Sequence, residues 1–146
     1  MAHSQEFFSA SSEETIAFAK KFAASLKPGN VVRLEGNLGS GKTTFIKGIA
    51  LGLGLADPDQ VKSPTFALMH VYPTVPPLYH FDLYRLATIG EIQNIGLEEF
   101  ASDPSAVTCI EWAEKAAGLL PRTARRVRLE TAGPQARRIL ILGDPR

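Results

Sequence analysis

Apolar residues recur along this chain in two rhythms. Between Ser11 and Pro28 they fall at Ile16, Ala19, Phe22, Ala23 and Leu26, the three-to-four spacing of one helix face. Ser11, with Glu14 three residues on, predicts a capping box at the start of that helix, and Pro28-Gly29 stops it. Phe45, Ile46, Ile49, Ala50 and Leu53 repeat the rhythm and predict a second helix over about residues 42–53, with Gly52 and Gly54 as stops. The other rhythm is a series of short, β-branched or aromatic runs bounded by Gly, Pro and polar residues. They predict strands at 6–9, 31–35, 66–72, 78–81, 106–110, 127–130 and 139–142. Prolines 73, 76 and 77 make a loop between the third and fourth of these, and residues 131–136 join the last two as a C-terminal β-hairpin. Thr88 with Glu91 forms a second capping box, ahead of a short helix, and residues 96–100 add a helical turn or two.

Strands and helices that alternate in this way predict an α/β class: a mixed, mostly parallel sheet flanked by helices. The 146 residues fit a single domain, and neither a repeat nor a linker divides them. A composition of 45% hydrophobic and 21% charged residues excludes a disordered or fibrous chain. Residues 1–6 lack the basic and apolar segments of a signal peptide, and no apolar run approaches the roughly 20 residues of a membrane span. The expectation is a cytoplasmic protein with no membrane partner. The one cysteine, Cys109, lies in an apolar run that predicts a buried, inert thiol.

Charge changes the picture only at the C-terminal end. The net charge is +1, yet from residue 122 to 146 there are seven Arg against Glu130 and Asp144, so that tail sums to +5 and the rest to −4. Two readings fit: an acidic partner such as RNA, or a solvated strand face.

The candidate chemistry centres on residues 36–43, Gly-Asn-Leu-Gly-Ser-Gly-Lys-Thr, which match G-x-x-x-x-G-K-[ST] at every fixed position. A phosphate tail packs several negative charges into a small volume. Gly36, Gly39 and Gly41 let successive backbone N–H groups of this loop turn toward one point. Lys42 adds a compact positive charge at the β and γ phosphates, and Thr43 offers a hard oxygen to Mg²⁺. A strand before the loop and a helix after it are the setting that this mechanism needs, with the helix dipole aimed at the same place. The implied fold is of P-loop NTPase type.

Hydrolysis also needs an acid to hold Mg²⁺ and a group to position water. Asp82 and Glu111 each stand where an apolar strand ends, the edge at which ligands gather in open α/β sheets. Each is either a site acid or a helix cap, and Glu111 leads because its strand is the more apolar. Trp112 either stacks on a nucleobase or packs in the core. Thr65, in Ser63-Pro64-Thr65, is either a switch-type hydroxyl or the start of a strand after proline. His70 and His80 read as packed strand residues.

Taken together, these motifs resemble the TsaE family of small ATPases of tRNA threonylcarbamoyladenosine biosynthesis. The matching stretches are residues 36–45, Val61-Lys62-Ser63-Pro64-Thr65-Phe66, His80-Phe81-Asp82-Leu83-Tyr84-Arg85-Leu86 and Ile110-Glu111-Trp112, in the family's order and spacing. They cover roughly residues 6–130. Asn37 stands where many members carry Asp and Ser40 where many carry Ala, and the arginine-rich tail maps onto no family motif. The resemblance implies ATP and ADP as nucleotides, Mg²⁺ held by Thr43 and Glu111, and catalytic roles for Lys42, Asp82 and Glu111. It implies nucleotide contacts at Gly39, Ser40, Gly41, Lys42, Thr43, Thr44, Thr65 and Trp112, and at Ser12 or its neighbours. It also implies that hydrolysis serves a TsaD-type transferase and its TsaB-type partner, with tRNA met indirectly. A small-molecule P-loop kinase and a nucleotide-gated RNA- or protein-binding module are the alternatives.

Overall fold

The computed structural model describes residues 5–142, so Asp144 and Arg146 of the basic tail lie outside the described residues. Seven strands form one sheet in the order β1-β7-β6-β2-β5-β4-β3. They are β1 (Gln5–Ser9), β2 (Val31–Glu35), β3 (Met69–Tyr72), β4 (Leu78–Asp82), β5 (Val107–Glu111), β6 (Arg125–Thr131) and β7 (Arg137–Leu142). The central strands β6, β2, β5 and β4 are mutually parallel. Antiparallel pairs extend the sheet on both sides, β3 on β4 at one and β6-β7-β1 at the other. The expected mixed sheet is therefore present, with its parallel part confined to the centre.

Helices cover both faces. On one, α1 (Ser12–Ala23) and α2 (Lys42–Gly52) bury Ala19, Phe22, Phe45, Ile46 and Ile49 against Leu34, Val107 and Val127. On the other, α3 (Ile89–Asn94), α4 (Leu97–Ala101) and a 3₁₀ segment (Ala113–Leu119) bury Ile92, Leu97 and Ala113 against Phe81 and Ile110. Such burial contributes about 1.5–3 kcal/mol for each large apolar side chain, which outweighs the weak intrinsic stability of helices this short. Among the described residues, no helix is long and apolar enough to cross a membrane. Cys109 is fully buried, and burial raises its thiol well above the ordinary range, as an inert core cysteine requires.

The two helix starts differ. Thr88 and Glu91 complete the box on α3, each side chain satisfying the other's backbone. At α1, Ser11 Oγ accepts from Glu14 N at 3.1 Å, but the Glu14 carboxylate reaches back one residue further, to Ala10 N at 2.9 Å.

One expectation is corrected. Residues 66–68 are not strand: the chain turns there, with Leu68 in the left-handed region at φ 70°, and β3 begins only at Met69. α2 ends at Gly52, as expected, with Gly54 left-handed at φ 105° just beyond; Gly52 is also packed on α1, where an added Cβ would lie 2.5 Å from Ala23 Cβ. Gly48, one turn earlier, would meet Ile16 O at 2.4 Å. These two glycines let α1 and α2 approach closely.

Candidate nucleotide site

β2, β4 and β5 run parallel, so their carboxyl ends share one edge of the sheet. Register pairs Asp82 with Glu111, and Glu111 with Leu34. The two acids thus stand side by side, one strand away from the loop that leaves β2. Side chains alternate along a strand, so His80 and Asp82 share a face of β4, and Cys109 and Glu111 share a face of β5, on the side covered by α2.

Gly36, Gly39 and Gly41 take φ of 149°, 77° and 99°, and the loop they shape feeds directly into α2. A Cβ at Gly36 would sit 2.5 Å from both Leu129 O and Ser40 Oγ, so side chains are sterically barred there. The cradle opens on a cavity of about 330 Å³ lined by residues 38–44, Ser63, Thr65, Asp82, Tyr84, Glu111, Trp112 and Arg137. A larger hollow of about 460 Å³ lies on the other side of the loop, between Asn37, Glu114 and Glu130. Thr43, Asp82 and Glu111 do not face it, so the smaller cavity is the one that gathers the candidate residues.

Lys42 is only 4% exposed. Its ammonium donates to Gly36 O and Asn37 O and lies 4.1 Å from the centre of the Trp112 ring. Burial lowers its pKa below the usual 10.5, against the opposing pull of Glu111, Glu114 and Asp82. Thr43 Oγ1 donates to Glu111 Oε2 at 2.9 Å. Asp82 Oδ2 accepts from Ser63 Oγ and Thr65 Oγ1, both at 2.8 Å, and Oδ1 accepts from Tyr84 N at 2.9 Å. Trp112 has φ 59° and ψ 37°, a left-handed conformation that costs about 1–2 kcal/mol for a residue with a Cβ. That bend brings its ring to Tyr84, with centroids 5.1 Å apart, and over Lys42.

The residues singled out in the sequence therefore converge, apart from Ser12. That residue opens α1 and lines a small recess with Thr15, Thr44 and Arg137, joined to the main cavity through Gly41, Thr44 and Arg137. Thr65 lies in a turn rather than a strand, and its hydroxyl is on Asp82. Three participants were not singled out. His80 is packed as expected, yet its Nε2 lies 2.6 Å from Glu111 Oε2. Its spacing of two residues before Asp82 was the available signal. Ser63 joins Thr65 on Asp82. Arg137 donates to Ser40 O at 2.9 Å and Gly39 O at 3.1 Å, bracing the loop from β7, and no local pattern announces it.

These donors suit a magnesium nucleotide. The loop offers backbone amides, a buried ammonium and a helix N-terminus to a polyanion. Among the described residues no cluster of three or more His, Cys, Asp or Glu is arranged around a metal. One carboxylate beside one hydroxyl fits Mg²⁺ instead, which takes few protein ligands and completes its shell with phosphate and water.

Fold and loop together define a protein of P-loop fold. The chain belongs to the TsaE family: the family model for threonylcarbamoyl adenosine biosynthesis protein TsaE matches residues 9–139. It is 44% identical over 128 residues to the tRNA threonylcarbamoyladenosine biosynthesis protein TsaE of Bacillus subtilis, covering 87% of this chain and 78% of that protein. It is 46% identical over 121 residues to the protein of that name from Rickettsia bellii, covering 82% of each. The crystal structure of Bacillus subtilis YdiB superposes with a TM-score of 0.76 at 35% identity, covering 99% of this chain and 88% of that one.

Proposed function

We propose that this chain is a cytoplasmic, Mg²⁺-dependent ATP hydrolase that supports threonylcarbamoyladenosine modification of tRNA, acting on a transferase complex of TsaD and TsaB type. The observation that carries the chemistry is the contact of Thr43 with Glu111 at 2.9 Å, in the same cavity as Asp82. Family membership carries the pathway.

The loop amides and Lys42 hold the phosphates and neutralise charge that grows at the bridging oxygen. Bound Mg²⁺ supplies Lewis-acid stabilisation of phosphate charge, and Thr43 and Glu111 are the residues that would hold it. Asp82, held by three hydrogen bonds, is set to orient a water or take its proton. Ser12, Thr65 and Trp112 border the space left for the rest of the nucleotide.

An RNA-binding role for the basic tail finds little support, because five of its seven arginines, Arg125, Arg126, Arg128, Arg137 and Arg138, have partners within the fold. Arg126 grips Glu35 with two bonds, of 3.0 and 3.1 Å, and Arg128 adds a third. Arg125 reaches Ser25, Arg137 braces the phosphate loop, and Arg138 pairs with Glu6 and Glu130. Burial pushes the Glu35 carboxyl up, but Arg126, Arg33 and Arg128 together hold it below its ordinary value.

The test of the chemistry is phosphate release from ATP, with and without a magnesium chelator, by wild type and Lys42→Ala. Release that is equal in all arms ends the ATPase reading. For the pathway, cells depleted of the protein should lose threonylcarbamoyladenosine from tRNA, and unchanged levels end that part.

A further inference from the structure

His80 is fully buried on β4 and lies behind the acid at the end of β5. Its Nε2 is 2.6 Å from Glu111 Oε2, the oxygen that also accepts from Thr43 Oγ1. A carboxylate only accepts, so the ring proton sits on Nε2. Nδ1 has no partner among the described residues, and the ring centroids of Tyr72 and His70 lie 6.1 Å and 6.5 Å from that of His80. A neutral ring protonated at Nε2 is therefore the form that leaves no buried N–H without an acceptor. The described hydrogen bonds to Glu111 all go to Oε2, which leaves Oε1 as the uncommitted oxygen.

A glutamate has three rotatable bonds, and its carboxylate needs restraint to act as a fixed ligand. Thr43 restrains it from the cavity side, through a hydroxyl that must itself serve a metal. His80 restrains it from the core side, where water does not compete. We infer that His80 is a positioning residue, which clamps one oxygen of Glu111 so that the other is presented to the divalent cation of a bound nucleotide. This rests on the magnesium-nucleotide reading of the cavity. Partners that orient a metal's ligands in this way commonly govern affinity for the ion as strongly as a ligand does.

The experiment is a titration of Mn²⁺, followed by its paramagnetic resonance signal, into full-length protein loaded with ADP. Calorimetry of ADP binding in a chelator runs alongside. His80→Leu removes the donor and should weaken Mn²⁺ binding by about 10–100-fold, while metal-free ADP affinity stays within about twofold. His80→Gln places an amide N–H near the position of Nε2 and should recover most of the loss. Should His80→Leu fail to fold, His80→Asn, whose amide is too short to reach Glu111, carries the same comparison. The inference is overturned if the folded donor-less variant holds Mn²⁺ as tightly as wild type, or if His80→Gln is as weak as that variant. Wild type that binds no Mn²⁺–ADP at all overturns the underlying reading, and the inference with it.

Discussion

Thr43 at the start of α2 and Glu111 at the end of β5 are 68 positions apart in the chain and 2.9 Å apart through their side-chain oxygens. No other direct side-chain bond among the described residues joins the phosphate loop to the acid-bearing strands. Glu111→Gln keeps the shape of the side chain and removes its charge. Hydrolysis at fixed Mg²⁺ should fall by about 10–100-fold, while nucleotide binding in a chelator is retained. Phosphate release measured across a Mg²⁺ series checks this, and an unchanged Mg²⁺ dependence contradicts it.

Asp82 has a different task, and its substitution should leave a different signature. Asp82→Asn keeps an acceptor for Tyr84 N but ends any role in taking a proton. Turnover should drop by roughly 100-fold or more with nucleotide affinity nearly intact. Separate measurements of kcat and of ADP affinity distinguish this from general collapse of the site.

Lys42 gives the site a pH dependence of defined sign. Burial lowers its pKa below 10.5, so the ammonium is lost earlier on the alkaline side than an exposed lysine would lose it. Phosphate favours the charged form, so nucleotide affinity should decline, and proton uptake on binding should grow, as pH rises toward that value. The folded protein releases this proton more readily than the unfolded chain, so the lysine's contribution to stability rises over the same interval. Calorimetry in buffers of different ionisation enthalpy measures the uptake. In Lys42→Ala, binding is weak and this slope is absent.

Gly48→Ala tests the packing of the two helices. Alanine should improve helix propensity by about 1 kcal/mol, yet its Cβ would press on Ile16 O at 2.4 Å and Ala19 Cβ at 2.5 Å. Overpacking of this kind costs about 1–3 kcal/mol, and the backbone carbonyl cannot swing aside. A net loss of stability is expected, at roughly 2–4 °C in Tm for each kcal/mol. A Tm at or above that of wild type shows that α1 can shift at little cost.

Ser40→Ala should act in the opposite direction. Ser40 is 1% exposed, its hydroxyl has no partner among the described residues, and it crowds the space beside Gly36. Removing a buried, unsatisfied hydroxyl should stabilise the protein by about 1 kcal/mol. Its backbone amide in the loop is untouched, so ADP affinity should be unchanged. Thermal melts and calorimetry read the two effects independently.

How far the sequence revealed all this depends on the range of the interactions. The phosphate loop is legible because its glycines and lysine act within eight residues, and Asp82 and Glu111 are legible because strand ends in parallel sheets point the same way. The turn at 66–68 is hidden because Phe66, Ala67, Leu68 and Met69 look like a strand. The turn is closed by Leu68 N donating to Pro64 O, and it is tied to Asp82, which accepts from Ser63 and Thr65 across 17 to 19 residues. The meaning of the basic tail is hidden for the same reason. Arg126 meets Glu35 across 91 residues, and a count of charges cannot show that the pair is internal.

Arg137 has a consequence for the order in which the molecule becomes competent. It holds the carbonyls of Gly39 and Ser40, made 97 residues or more earlier, and β1, the first of the seven strands in chain order, has β7 as its one neighbour among the described strands. A chain still emerging from the ribosome owns every residue of its phosphate cradle long before it owns the strand that braces it. The brace on the loop is thus deferred until β7 has been made, and a nascent fragment that stops short of β7 lacks both the Arg137 contacts to Gly39 and Ser40 and the strand that pairs with β1.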